Sequence, residues 1–182
     1  MTAVPPSRFP AALTRRRLVA GLLAAPAVVR FGPAATPAAA AAPAVTFARS
    51  AVAVVTHDGR RYTFSVEVAR TPAQRARGLM YRRRLAPDHG MLFDFGGTGP
   101  RAMWMKNTYV ALDILFLEAD GRIWKIAADT TPLSEATIVA EGPIRAALEL
   151  RAGTSRLLGI EVGDDVRHPM FGDPPVRVQG AE

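Results

Sequence analysis

The chain has 182 residues, with 23 Lys+Arg against 16 Asp+Glu for a formal net charge of +7. It contains no Cys, which excludes disulfides, thiolate metal sites, iron–sulfur clusters, a Cys nucleophile and a lipid-modified N-terminal Cys. The positive charge is lopsided: five Arg and no acidic residue fall in residues 1–44, so residues 45–182 carry only +2, which removes the electrostatic case for a nucleic-acid partner.

The N-terminal stretch reads as an address. Thr14-Arg15-Arg16-Arg17-Leu18 opens an uncharged, Ala/Leu/Val-rich run from Leu18 to Val29, broken by Pro26 and closed by Arg30. A positive region followed by a short apolar run and small residues is the layout of an export signal. The Arg pair places it among twin-arginine signals, which are read by a receptor and do not anchor. The run is too short for a transmembrane helix, which needs about 20 apolar residues. Cleavage is expected after Ala42 or Ala44. The competing reading is a disordered Ala/Pro-rich tail. Export to the periplasm or beyond leaves no membrane span after processing, and the expected partners are a small molecule or a cell-envelope component, bound by a monomer.

Residues 45–171 read as a single globular domain, with 172–182 a loose Pro/Gly-rich tail. Tyr62, Phe64, Val66 and Val68 alternate with Arg61, Thr63, Ser65 and Glu67, the period of a half-buried strand. With Asp58-Gly59 as its turn, residues 51–69 predict a β-hairpin. Thr71-Pro72-Ala73-Gln74 predicts a helix start through a capping box, and Gly78 stops that helix. Short apolar runs follow at Met91–Phe95, Met103–Met105 and Ala111–Leu117. Asp120-Gly121 turns the chain into Ile123–Ile126. Residues 128–143, with Pro132, Gly142 and Pro143, predict a long excursion or lid. Ile144, Ala146, Leu148 and Leu150 alternate, and Thr154–Leu158 before Gly159 predicts one short helical turn. The whole predicts an α+β fold: a compact, β-rich single domain built as a strongly curved sheet or small barrel with one or two short helices.

No standard catalytic signature is present. The chain lacks a G-x-S-x-G elbow, an H-E-x-x-H helix, a phosphate loop and a dinucleotide fingerprint. Its three His, at 57, 89 and 168, are far apart in sequence.

Several blocks nevertheless occur in a distinctive order. They are Gln74-Arg75-Ala76-Arg77-Gly78-Leu79-Met80-Tyr81-Arg82, Gly90-Met91-Leu92-Phe93, Trp104-Met105-Lys106-Asn107-Thr108 and Leu112-Asp113-Ile114-Leu115-Phe116. Asp120-Gly121, Leu148-Glu149-Leu150 with Ala152-Gly153, and Gly163-Asp164 follow. Over about residues 62–168 the series resembles the prokaryotic family catalogued as domain of unknown function 192. The resemblance implies one small, β-rich α+β domain, often behind an export signal. It implies no established activity, cofactor or set of catalytic residues.

The candidate ligand site is Arg77, Trp104, Lys106, Asn107, Thr108 and Asp113. On a strand Trp104 and Lys106 would share one face, with the ring as a stacking platform and the amine for an anionic or sugar-like ligand. Arg77 would meet ligand anions, and Asn107 and Thr108 would exchange hydrogen bonds. Asp113, set among Leu112, Ile114 and Leu115, needs a partner if buried. The competing structural reading is a satisfied network of Arg77, Lys106, Asn107 and Asp113 that fixes the loops. A basic cluster, Arg70, Arg75, Arg77, Arg82, Arg83 and Arg84, reads mainly as a wet face. Two further functions are consistent with the residue types. His89, Met91, Met103, Met105, His168 and Met170 form i, i+2 pairs suited to Cu(I). A hydrolase-like enzyme would use Asp113 or Glu149 as base with Lys106 as electrostatic stabiliser. The lead reading is a binding or accessory module with no metal and no cofactor.

Overall fold

The computed structural model describes residues 45–177. The export signal expected over residues 1–44, and residues 178–182 of the expected tail, lie outside the described residues.

The predicted hairpin forms from β1 (Ala48–Val55) and β2 (Arg61–Ala69), antiparallel with Val52 opposite Phe64. Its turn is closed by the Gly59 N–H on the Thr56 carbonyl at 2.8 Å. The alternation read from the sequence is kept: Phe64, Val66 and Val68 are buried with Val52 and Val54. Helix α1 (Pro72–Arg77) begins with the expected capping box between Thr71 and Gln74 and ends at Gly78. It lies in the crossover from β2 to β3 (His89–Met103), which run parallel and so cannot be joined by a tight turn.

Strand β3 is far longer than its apolar run predicts. It continues past Phe95 through Gly96 and Gly99, whose positive φ angles of 79° and 154° accompany two register shifts against β6 (Ile138–Arg151). Glycine is the residue that takes such a conformation without a steric penalty. Strand β6 likewise starts earlier than expected, so the predicted 128–143 excursion is confined to 128–137. Gly142 and Pro143 read as breakers in sequence. They fall between the Gly99–Ile144 and Arg101–Ala140 pairs, where the ladder is interrupted and no strand N–H is lost. Trp104 and Met105 lie beyond the end of β3, leading into the turn at Lys106 and Asn107, not on the strand the sequence suggested.

Strand β4 (Leu112–Leu117) pairs with both β5 (Ile123–Ala127) and β6, and a segment built around the short α2 (Thr154–Leu158) leads to β7 (Asp165–Arg167). The strand order is β5-β4-β6-β3-β2-β1-β7. The two ends of this sheet meet: Arg122 bridges Asp165, the Ile123 N–H donates to the Asp164 carbonyl at 2.8 Å, and the Val166 N–H donates to the Gly121 carbonyl at 2.8 Å. The result is a nearly closed, barrel-like sheet with two short helices, the curved α+β architecture expected. Gly121 has φ 92°, and a Cβ there would stand 2.2 Å from the Val166 carbonyl oxygen, so the closure requires glycine.

Two apolar clusters divide the sheet by its faces. The first draws residues from all seven strands, among them Val54, Phe64, Leu92, Leu115, Ile123, Leu148 and Val166, and fills the barrel interior. The second lies on the outside of β3, β4 and β6, where Met91, Phe93, Ile114, Phe116, Ile144 and Ala147 are covered by Leu79 and Met105. Each large side chain buried this way contributes on the order of 2 kcal/mol. The covering segments create the candidate site.

Candidate ligand-binding pocket

The outer cluster is not filled to the surface. Between α1 and its C-terminal turn, the long β3–β6 pair and the 104–108 turn lies a cavity of about 370 Å³. Phe93, Phe95, Met103, Leu79 and Met80 give it apolar walls, and Trp104, Arg77, Thr108 and Thr137 add polar or amphipathic groups. Glu149 also lines it. Glu149 stands opposite Met91 on one side and Ile114 on the other, both wholly buried, and is itself only 4% exposed. Its carboxyl group has no hydrogen-bond or ion-pair partner among the described residues. Burial alone pushes it up to about 8, so at neutral pH it is an uncharged acid.

Arg77 is exposed, with its guanidinium 4.6 Å from the centroid of the Tyr81 ring. Lys106 Nζ lies 5.3 Å from the Trp104 ring centroid and pairs with Glu135 at 3.3 Å. Arg75 donates to the carbonyls of Arg70 and Asp94, tying α1 to β3. The wider arginine cluster is likewise engaged: Arg82 pairs with Glu67, and Arg83 lies over Tyr109.

Of the six residues singled out in sequence, Arg77, Trp104 and Thr108 line the cavity. Lys106 stands beside it on the Trp104 ring. Asn107 shapes the turn: its φ is 55° and its carbonyl accepts the Tyr81 N–H at 2.8 Å. Asp113 is elsewhere. Wholly buried on β4, it accepts the N–H groups of Asp129 (2.9 Å), Gly153 (3.1 Å) and Ser155 (2.8 Å). Three backbone donors occupy its oxygens, so it pins the 128–130 loop and α2 to the barrel.

Met91, Met103 and Met105 gather in the outer cluster, but His89 is exposed and bonded to Asp88, and Met170 packs on the interior cluster. The Thr130 hydroxyl lies 3.2 Å from the Met105 sulfur and 2.9 Å from the Leu112 carbonyl oxygen. No group of three or more His, Asp or Glu able to hold a metal occurs among the described residues. Ser50 Oγ lies 2.9 Å from His168 Nε2, which outwardly resembles a nucleophile–base pair. His168 Nδ1, however, accepts the Met170 N–H at 3.1 Å, so the neutral ring carries its proton on Nε2 and faces Ser50 as a donor. Burial also holds this imidazole below its ordinary value.

A family model described as "Uncharacterized ACR", DUF192, matches residues 53–168, a span running from β1 to just past β7 and including the whole pocket. The chain belongs to the DUF192 family. It is 48% identical to a Sinorhizobium meliloti 1021 protein described as a candidate transcription regulator, covering 70% of this chain and 99% of that one with a TM-score of 0.69. A Novosphingobium aromaticivorans DSM 12444 protein of unknown function is 40% identical, covering 71% and 94% with a TM-score of 0.65. No curated protein matches.

For this DUF192 member the sequence places the candidate ligand contacts around the W-M-K-N-T block and names Glu149 only as a candidate base, whereas the structure puts Glu149 in the cavity lining. In Ala146-Ala147-Leu148-Glu149-Leu150, Glu149 has the phase of an outward polar residue on a half-buried strand. Only the covering of that outer face by α1 and the 104–108 turn makes it buried.

Proposed function

We propose that the protein is an exported binding module that holds a small organic anion in the cavity between α1, the β3–β6 pair and the 104–108 turn. The observation that carries this reading is Glu149, a nearly inaccessible carboxyl group with no partner among the described residues, at the edge of an aromatic-walled cavity. Burying such a group costs on the order of 2 kcal/mol or more, and natural proteins hold unpaired buried groups chiefly where they act. Arg77 supplies positive charge beside the cavity for the ligand's anionic group, and the half-exposed Trp104, with Lys106 on its ring, supplies a stacking face for its body. The near-neutral charge of residues 45–182 speaks against nucleic acid, and export rests on the order of charge, apolar run and cleavage site in residues 1–44.

Trp104 and Trp124 are the only tryptophans, so Trp124→Phe isolates the reporter at the cavity. Titrating that protein with benzoate, glucuronate and uncharged glucose is expected to give a saturable change in Trp104 fluorescence with one of the anions and none with glucose. No saturable change with either anion up to millimolar concentration overturns the reading.

A further inference from the structure

Resting on that reading, the geometry points to a division of labour that defines the class of ligand. We propose that Glu149 donates a hydrogen bond to an uncharged oxygen of the ligand, so that the cavity selects small organic acids carrying a carbonyl-type acceptor remote from their carboxylate.

Most polar groups near the cavity are already engaged. Thr108 Oγ1 donates to the Lys106 carbonyl at 3.3 Å. Arg75 is held by two main-chain carbonyls. Asp94 and Arg145 pair with each other, and Lys106 pairs with Glu135. Arg101 of β3 lies over the Phe95 ring and donates to the Gly97 carbonyl at 2.6 Å. Asp113 of β4 points to the opposite face of the sheet. Arg101 Nε is buried without a partner, and the exposed Thr137 makes no hydrogen bond among the described residues. Among the groups lining the cavity, that leaves Arg77 as the exposed cation and Glu149 as the buried carboxyl group without a partner.

An ionised Glu149 would repel an organic anion and would require a buried counter-charge, which none of the described residues around it supplies; burial is the sole cause of its shift. In its uncharged state the carboxyl offers one O–H donor. A ligand lacking an acceptor leaves that donor unpaired in an apolar wall, a loss comparable to about tenfold in affinity. Discrimination of this kind is strong because the penalty falls on the ligand that fails to bond.

The test compares two acids of nearly the same shape, para-acetylbenzoate and para-isopropylbenzoate, which differ in whether the distal group accepts a hydrogen bond. Calorimetric titration of the full chain at neutral pH is expected to show para-acetylbenzoate binding about tenfold more tightly. Glu149→Gln, which keeps an N–H donor, is expected to retain the preference. Glu149→Leu is expected to abolish or reverse it while binding para-isopropylbenzoate at least as well. Should Glu149→Leu fail to fold, the wild-type and Glu149→Gln comparisons still decide. Equal affinity for the two acids in the wild type, or a preference that survives Glu149→Leu, overturns this inference and leaves the pocket reading standing. Binding of neither acid overturns this inference, and the benzoate and glucuronate titrations then decide the pocket reading separately.

Discussion

Asp113 and Glu149 are buried carboxyl groups one register step apart on adjacent strands, facing opposite sides of the same sheet. Asp113 pairs with Leu150 and shares its inward face, whereas Glu149 pairs with Ile114 and shares the outer face. Asp113 receives three backbone N–H groups; Glu149 receives none among the described residues. Their environments separate a structural pin from an unpartnered acid in a cavity wall.

Stability should carry the imprint of Glu149. Its carboxyl is near 4.5 in the unfolded chain and about 8 when folded. A raised folded value means the native state binds the extra proton between those two pH values. The contribution to stability is therefore intact below the window, is lost as pH rises through it, and is constant above it. The slope from this group is at most about 1.4 kcal/mol per pH unit. Glu149→Gln is expected to remove that slope and to stabilise the protein at alkaline pH, as read from denaturant midpoints below, within and above the window.

Asp113→Ala should be far more damaging. It leaves the N–H groups of Asp129, Gly153 and Ser155 without their acceptor and opens a hole beside β4. The expected loss is about 3 kcal/mol or more, measured by denaturant unfolding. A loss below about 1 kcal/mol would show that water replaces the carboxylate at little cost.

Trp104 is 49% exposed, so its removal costs little in packing. Trp104→Ala is expected to leave the melting temperature nearly unchanged while weakening para-acetylbenzoate about tenfold. A large fall in melting temperature with unaltered affinity would make Trp104 structural.

Barrel closure makes its own prediction through two glycines with similar φ. A Cβ added at Gly59, where φ is 84°, would meet nothing within 4 Å, whereas one added at Gly121 would meet the Val166 oxygen at 2.2 Å. Gly59→Ala therefore incurs backbone strain alone, about 1 kcal/mol. Gly121→Ala must also push β7 from β5 and is expected to cost several times as much, with early amide exchange in Asp165–Arg167.

Replacing Arg15, Arg16 and Arg17 by Lys should block export if the signal is of the twin-arginine type. Cell fractionation checks this, and N-terminal sequencing of exported protein should find a first residue directly after Ala42 or Ala44. A secreted chain beginning at Thr2 would contradict the signal.

Local chemistry was legible from the chain alone. The 51–69 hairpin, the Thr71–Gln74 capping box, the Gly78 stop and the Asp120-Gly121 turn depend on residues close in sequence, and each appears in the structure. The R-G-L-M and W-M-K-N-T blocks carry the resemblance to DUF192, and the family match over residues 53–168 agrees with it. Strand length was not legible, because Gly96, Gly99, Gly142 and Pro143 punctuate a sequence in the same way whether they end a strand or bulge it. Arg77, Trp104 and Thr108 could be named as candidates, since an exposed indole beside a cation has a recognisable chemistry. What the tertiary structure alone decided is which carboxyl group has a partner. Asp113 looked in need of one and acquires three from segments 16 to 42 residues away. Glu149 is a candidate base on the sequence alone, and it loses access to water because α1 and the 104–108 turn fold over it. Burial depends on which elements cover a face, and that is settled by long-range packing which no local pattern records.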